Sequence, residues 1–261
     1  MPIGLIGGSG LYDIDGLEPK EEILLSTPYG APSSVYKRVA LNGVELIFLA
    51  RHGFPHSIPP HRVNYRANMW GFKSLGVEEI ISVGAVGGIS SEMRPGSLVI
   101  LDQIIDMTMG ARSSTFYEGE KAVHVDFTHP YCAGLRDIVL YAAGTSGLTV
   151  RERGTYVCSN GPRLETAKEI LFFSLIGADV VGMTAMPEAV LARELEICLA
   201  GVSVVTNYAA GIGGTGPTAG EVVEVMKRSM EALKSLLGAA VERIPVHRAC
   251  ACKDALKGST F

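Results

Sequence analysis

Short β-branched and aliphatic runs recur along the chain, separated by stretches in which apolar residues return every three or four positions. The runs at Ile3–Ile6, Val44–Leu49, Glu79–Val83, Ser97–Leu101, Tyr156–Cys158, Val180–Met183 and Val202–Thr206 predict strands of a largely buried sheet. The helical period predicts helices over Leu135–Ala143, Ala167–Ile176, Ala189–Leu199 and Glu221–Val241. Strand and helix signals alternate, which predicts an α/β fold. No linker, repeat or shift in composition interrupts the pattern, so residues 1–261 read as one domain with a tail from about 242.

Glycine and proline gather where the strand signals end: Gly7–Gly10, Gly84–Gly88, Gly161-Pro162 and Gly211–Pro217. Open α/β sheets bind ligands at the carboxyl ends of their strands, so these segments point to one composite site. Gly7-Gly8-Ser9-Gly10-Leu11 is either a simple tight turn or a nest of backbone N–H groups with the Ser9 hydroxyl as a further donor. A dinucleotide fingerprint fits less well, because Asp13 stands where its third glycine belongs. Arg51-His52-Gly53-Phe54-Pro55-His56, followed by His61, Arg62 and Arg66, is a solvated basic loop or an anion site. Arginine suits phosphate bidentately and histidine can donate beside it. Zinc fits these histidines poorly, with no acid or cysteine among them and arginines alongside.

Three more segments carry candidate chemistry. Asn160–Thr166 opens a helix, with Glu165 either a favourable first-turn acid or a ligand group. Gly182–Glu188 joins a buried strand to a helix; Thr184 there could donate to an anion, and Met183 is core or a sugar contact. Asn207 leaves an apolar strand either to form a turn or to read a ligand with its amide.

Composition narrows the classes. Hydrophobic residues make up 47% and charged residues 19%, which excludes a disordered chain and leaves apolar surface for contacts between subunits. A net charge of -4 gives no basic excess for nucleic acid. No apolar run is long enough for a membrane span, and the opening Met1–Gly8 reads as a strand and turn rather than a secretory signal, so a cytoplasmic location is expected. The five cysteines, at 132, 158, 198, 250 and 252, lack zinc-ribbon spacing and read as thiols in a reducing compartment, with no metal site expected.

In order, Gly-Gly-Ser-Gly-Leu, Arg-His-Gly, Val-Asn-Tyr-Arg-Ala-Asn, Gly-Ala-Val-Gly-Gly, Gly-Pro-Arg-Leu-Glu-Thr, Gly-Met-Thr-Ala-Met-Pro-Glu and Thr-Asn-Tyr resemble the purine nucleoside and methylthioadenosine phosphorylases from about Ile3 to Val241. The resemblance implies a mixed central sheet, a homotrimer or pair of trimers, and reversible phosphorolysis of a purine nucleoside without metal or organic cofactor. It implies phosphate contacts from Ser9, Arg51, His52, the backbone at Gly84 and Ala85, and Thr184. Gly84 departs from the pattern, since relatives commonly carry Asn or Thr there. Leu164, Met183, Ala209 and His56 fall where the family holds base and ribose, and His124 where a histidine enters the neighbouring subunit's 5′ pocket. Asn207, in place of the aspartate of adenosine-type members, and Glu165, in place of their serine, imply a 6-oxopurine base. Ala219, Val222 and Val223 are small and apolar where inosine-type relatives commonly place a histidine, so 5′-methylthioinosine joins inosine and guanosine as an expected substrate. The tail, with Cys250-Ala251-Cys252, resembles a Cys-x-Cys end that pairs with other cysteines; Cys132 and Cys198 are the candidates, and free thiols are the alternative.

Overall fold

The computed structural model describes residues 2–8, 11, 18–119, 121–213 and 218–260. The strands are β1 (Ile3–Gly7), β2 (Glu18–Ile23), β3 (Tyr36–Leu41), β4 (Val44–Ala50), β5 (Glu79–Gly88), β6 (Leu98–Ile100), β7 (Gln103–Met107), β8 (Val150–Arg151), β9 (Thr155–Ser159), β10 (Val180–Gly182) and β11 (Cys198–Tyr208). The helices are α1 (Tyr65–Ser74), α2 (Ala133–Thr145), α3 (Ala167–Leu175), α4 (Ala185–Glu194) and α5 (Ala219–Val241). One connected sheet runs β2-β3-β4-β1-β5-β10-β9-β7, and β11 pairs β5 and then β6, which pairs β8. β1, β4, β5 and β11 are parallel, while β10 meets β5 antiparallel, so the sheet is mixed. The expected α/β architecture is the observed one.

Because both faces of the sheet are covered, its central strands are apolar on both sides. On one face Ile81 and Val83 of β5 pack with Leu135 and Val139 of α2 and Leu233 and Leu237 of α5. On the other, Ile80 and Val86 pack with Met69 and Phe72 of α1 and Leu191 of α4. Among the described residues no helix is long and apolar enough to cross a membrane.

Strands β2, β3, β7 and β8 lie outside the runs that predicted strands, and three further elements differ from the sequence expectation. The helix expected over Ala189–Leu199 is α4, which ends at Glu194; Glu196 at φ 57 turns the chain, and Cys198 already begins β11. The apolar run continues across that turn because β11 is buried along nearly all its length, so hydrophobicity alone carries no boundary there. β5 extends past Val83 through the glycines to Gly88. The basic segment after Pro60 contains helix α1, whose Asn64 cap accepts the Ala67 N–H at 3.1 Å and donates to the Tyr29 carbonyl at 2.7 Å.

Candidate active site

The site forms where a strand partner is missing. β1 accompanies β5 only as far as Ser82, and β10 joins the same edge at Gly87. Between them, Val83–Val86 have no strand on that edge among the described residues, although β11 pairs the other edge throughout. Segments that follow β1, β4 and β10 close around this opening. After β1 comes Gly8, where a Cβ would lie 2.8 Å from Arg51 Nη1, so only glycine lets the two chains approach. Ser9, the expected hydroxyl donor, lies outside the described residues.

After β4 comes Arg51, only 1% exposed. Here the structure corrects the expected free fork. Nε and Nη2 of Arg51 donate to the Glu188 carboxylate, Nη2 also to Ser82 Oγ at 2.8 Å, and Nη1 to the Val83 carbonyl at 3.0 Å. The bidentate face therefore meets a buried carboxylate, because an arginine at this depth needs a counter-charge. One Nη1 hydrogen remains, on the Gly8 side. His52 is likewise not the expected second donor: its Nδ1 lies 2.8 Å from the Ile58 carbonyl, to which it donates, leaving Nε2 as an acceptor. Burial, and then neighbouring Arg51, push the His52 pKa down to about 3, so the ring is neutral. His56 stacks on it with centroids 4.4 Å apart, and its pKa is lowered by the same two causes.

After β10 comes Thr184, the N-cap of α4, whose side chain makes no capping bond. Its N–H donates to the Tyr156 hydroxyl at 3.1 Å. A Cβ at residue 182 would sit 2.1 Å from that hydroxyl, so Gly182 is what admits Tyr156. Thr184 Oγ1 lies 3.8 Å from where a Gly84 Cβ would stand, which brings the expected Gly84, Ala85 and Thr184 together. Met186, at φ -110 and ψ 132, breaks the helical run just after Thr184, so the regular turns of α4 begin beyond it.

Beside the opening is a cavity of about 170 Å³ between β5, β10 and β11, bordered by Glu165, Asn207, Met183, Leu164, Ala209 and Val222. A β-bulge aims Asn207: Val205 pairs with Val86 and Asn207 with Gly87, leaving Thr206 as the extra residue. Thr206 Oγ1 donates to Asn207 Oδ1 at 2.9 Å, and Asn207 Nδ2 donates to the Tyr208 carbonyl at 2.9 Å. The amide is thereby oriented with one Nδ2 hydrogen to spare. Glu165 accepts from Ser159 Oγ at 2.5 Å through Oε1, leaving Oε2 for the cavity. The pocket thus pairs a spare donor with a spare acceptor.

The model of the phosphorylase superfamily matches residues 2–242. The chain belongs to that superfamily. A 6-oxopurine nucleoside phosphorylase of Pyrococcus furiosus is 53% identical over the whole of both chains. A probable S-methyl-5′-thioinosine phosphorylase of Thermodesulfovibrio yellowstonii is 52% identical over all of this chain and 98% of its own. A methylthioadenosine phosphorylase of Schistosoma mansoni, solved with adenine, superposes with a TM-score of 0.93 at 30% identity, covering 99% of this chain and 98% of its own.

Of the remaining site residues expected for this superfamily member, Val223 is 55% exposed, and Ala219 begins α5 with its side chain outside the described residues. His124 is exposed, its N–H donating to the Ser259 carbonyl at 2.8 Å, and it is not among the residues that border the cavity of Asn207 and Glu165. Sequence reasoning missed Ser82, Tyr156, Ser159, Glu188 and Arg112. Glu188 stood in a quoted motif, and an acid among the apolar residues Ala185–Ala192 is its signal. Arg112 has no signal in the sequence. Its guanidinium donates to the carbonyls of Met183 at 2.7 Å, Met186 at 2.6 Å and Asn160 at 2.8 Å, tying together the two turns that flank the cavity.

Proposed function

We propose that the enzyme splits 6-oxopurine nucleosides with inorganic phosphate, releasing the base and ribose 1-phosphate or its 5-methylthio analogue in purine salvage. The observation that carries this reading is that Asn207 and Glu165 border one cavity. A 6-oxopurine accepts at N7 and O6 and donates from N1–H, which matches the amide donor and the carboxylate acceptor. Adenine accepts at N1 and donates from its amino group, so its lone pair would face Glu165; such mismatches in a buried polar site are costly.

A phosphate oxygen attacks C1′ as the C1′–N9 bond breaks through an oxocarbenium-like centre. The bonding pair leaves with the purine, where Asn207 donates to the growing charge at N7/O6 and Glu165 holds N1–H. Phosphate sits at the open edge of β5, held by Ser9, the last Arg51 N–H, the backbone of Gly84 and Ala85, and Thr184 at the start of α4. Neutral His52 accepts a proton-bearing phosphate oxygen at Nε2. Side chains and backbone thus meet the charge at both ends, so the reaction calls for no metal or organic cofactor.

Val222 beside the cavity favours a 5′-methylthio group, and we extend the substrates to 5′-methylthioinosine on that ground. Cleavage of 5′-methylthioadenosine is the second reading; against it, the Glu165 carboxylate bordering the cavity would meet the N1 lone pair of adenine. Exposed Leu171, Phe172 and Leu175 on α3 support assembly into a homotrimer, in which His124 would enter a neighbour's 5′ pocket. Purine release from inosine, 5′-methylthioinosine and 5′-methylthioadenosine, with and without phosphate, tests the proposal. Phosphate-dependent cleavage confined to the first two is expected; preferred cleavage of the third would overturn the base assignment.

A further inference from the structure

The four cysteines at 132, 198, 250 and 252 are scattered in sequence and meet in the fold. Their Sγ atoms all lie within 4.8 Å of one another, and three of the four residues are buried. They come from three places: Cys132 caps α2, Cys198 is the first residue of β11, and Cys250 and Cys252 flank the start of a short helical turn, Ala251–Asp254. Cys158 lies elsewhere, against Met186. A tetrahedral tetrathiolate with metal–sulfur bonds near 2.3 Å has sulfur–sulfur edges of about 3.8 Å; the Cys198 and Cys250 sulfurs, 3.1 Å apart, would move apart to reach it, and the widest pairs, within 4.8 Å, would close.

The surroundings of the sulfurs point the same way. Cys132 Sγ accepts the Leu135 N–H at 3.5 Å, at the positive end of α2. Cys252 Sγ accepts from Arg193 Nη1 at 3.8 Å, and Cys198 Sγ from Arg248 Nη1 at 3.8 Å. Each arginine is held by the fold as well, Arg193 through the His129 carbonyl and Arg248 through the Glu196 carbonyl and Glu78 at 3.0 Å. Four thiolates around a divalent ion leave an excess of two negative charges, and N–H donors and cations beside the sulfurs are what such a group needs. Disulfide sulfurs, being uncharged, gain little from them.

We propose that Cys132, Cys198, Cys250 and Cys252 form a closed tetrathiolate site for zinc or a like soft divalent ion, which fastens the tail to the start of β11. The ion takes four sulfur ligands, and the protons of the thiols pass to solvent. Nine residue steps of extended strand, roughly 30 Å, separate Cys198 from Asn207, so the site is structural and independent of phosphorolysis.

The test uses the full chain, purified anaerobically without chelator. Elemental analysis is expected to give about one zinc per chain, and denaturation in chelator without reductant to expose all five thiols. Replacement by Co²⁺ should produce thiolate-to-metal charge-transfer absorption, and the C250S/C252S variant should lose both metal and band. The same four thiols could instead pair with each other. A single reactive thiol before reduction, meaning two disulfides, would overturn the proposal. So would reduced protein with five thiols that retains no metal after incubation with Zn²⁺.

Discussion

At the scale of single residues, the proposed selectivity and phosphate binding rest on very few atoms. Asn207→Asp places a second carboxylate where the 6-oxopurine offers only acceptors. Inosine kcat/KM should fall about a hundredfold or more, and adenosine cleavage should gain relative to it; steady-state rates on both nucleosides measure the ratio. Glu188→Ala leaves Arg51 buried without its counter-charge, which should cost about 3–5 kcal/mol of stability. Phosphate would then supply the missing charge, so it should raise the Tm of the variant more than that of the parent. Equal shifts in thermal melts would remove Arg51 from the phosphate site. His52 binds its proton far less readily when folded, at about 3 against an ordinary 6.5. The unfolded chain therefore takes up that proton first, and stability falls as pH drops from about 6.5 toward about 3. His52→Gln should flatten the decline, as urea unfolding across that range would register.

At the scale of elements, α3 has two faces with different work. Ile170 and Phe173 turn into the core, while Leu171 at 49%, Phe172 at 50% and Leu175 at 78% exposure turn outward. Thr166 and Glu169 close a capping box at its start, so the helix needs no partner to form, and its outer apolar face is left for one. If α3 forms the subunit contact of the proposed trimer, Leu175→Glu should leave the fold intact, by circular dichroism, and yield lighter species in sedimentation velocity. A Leu175→Glu protein that sediments like the parent would place the subunit contact elsewhere.

At the scale of the whole molecule, the α/β plan and several residues that border the cavity were legible, because buried strands, glycine-rich strand ends and polar groups leaving apolar strands each leave a local mark. Asn207 and Glu165 border the cavity together, and Thr184 lies beside Gly84. What escaped it depends on meetings between distant segments. Glu188 filling the fork of Arg51, Arg112 spanning two turns, and four cysteines from three elements have no common local pattern. The Glu194–Cys198 boundary escaped for another reason: helix and strand are buried alike on either side of it.

The unpaired stretch of β5 has a consequence for how the protein behaves in company. Backbone left without a strand partner at the rim of a sheet invites other chains to add a strand, with aggregation as the outcome. Here the stretch at Val83–Val86 lies inside the sheet, walled by β1 on one side and β10 on the other. A foreign strand cannot reach it, whereas the phosphate proposed to bind there is small enough to fit between them. The protein thus keeps sticky backbone without the hazard that usually comes with it. Because its donors are peptide N–H groups, most side-chain changes at Gly84 or Ala85 would leave them in place, and only proline would delete one.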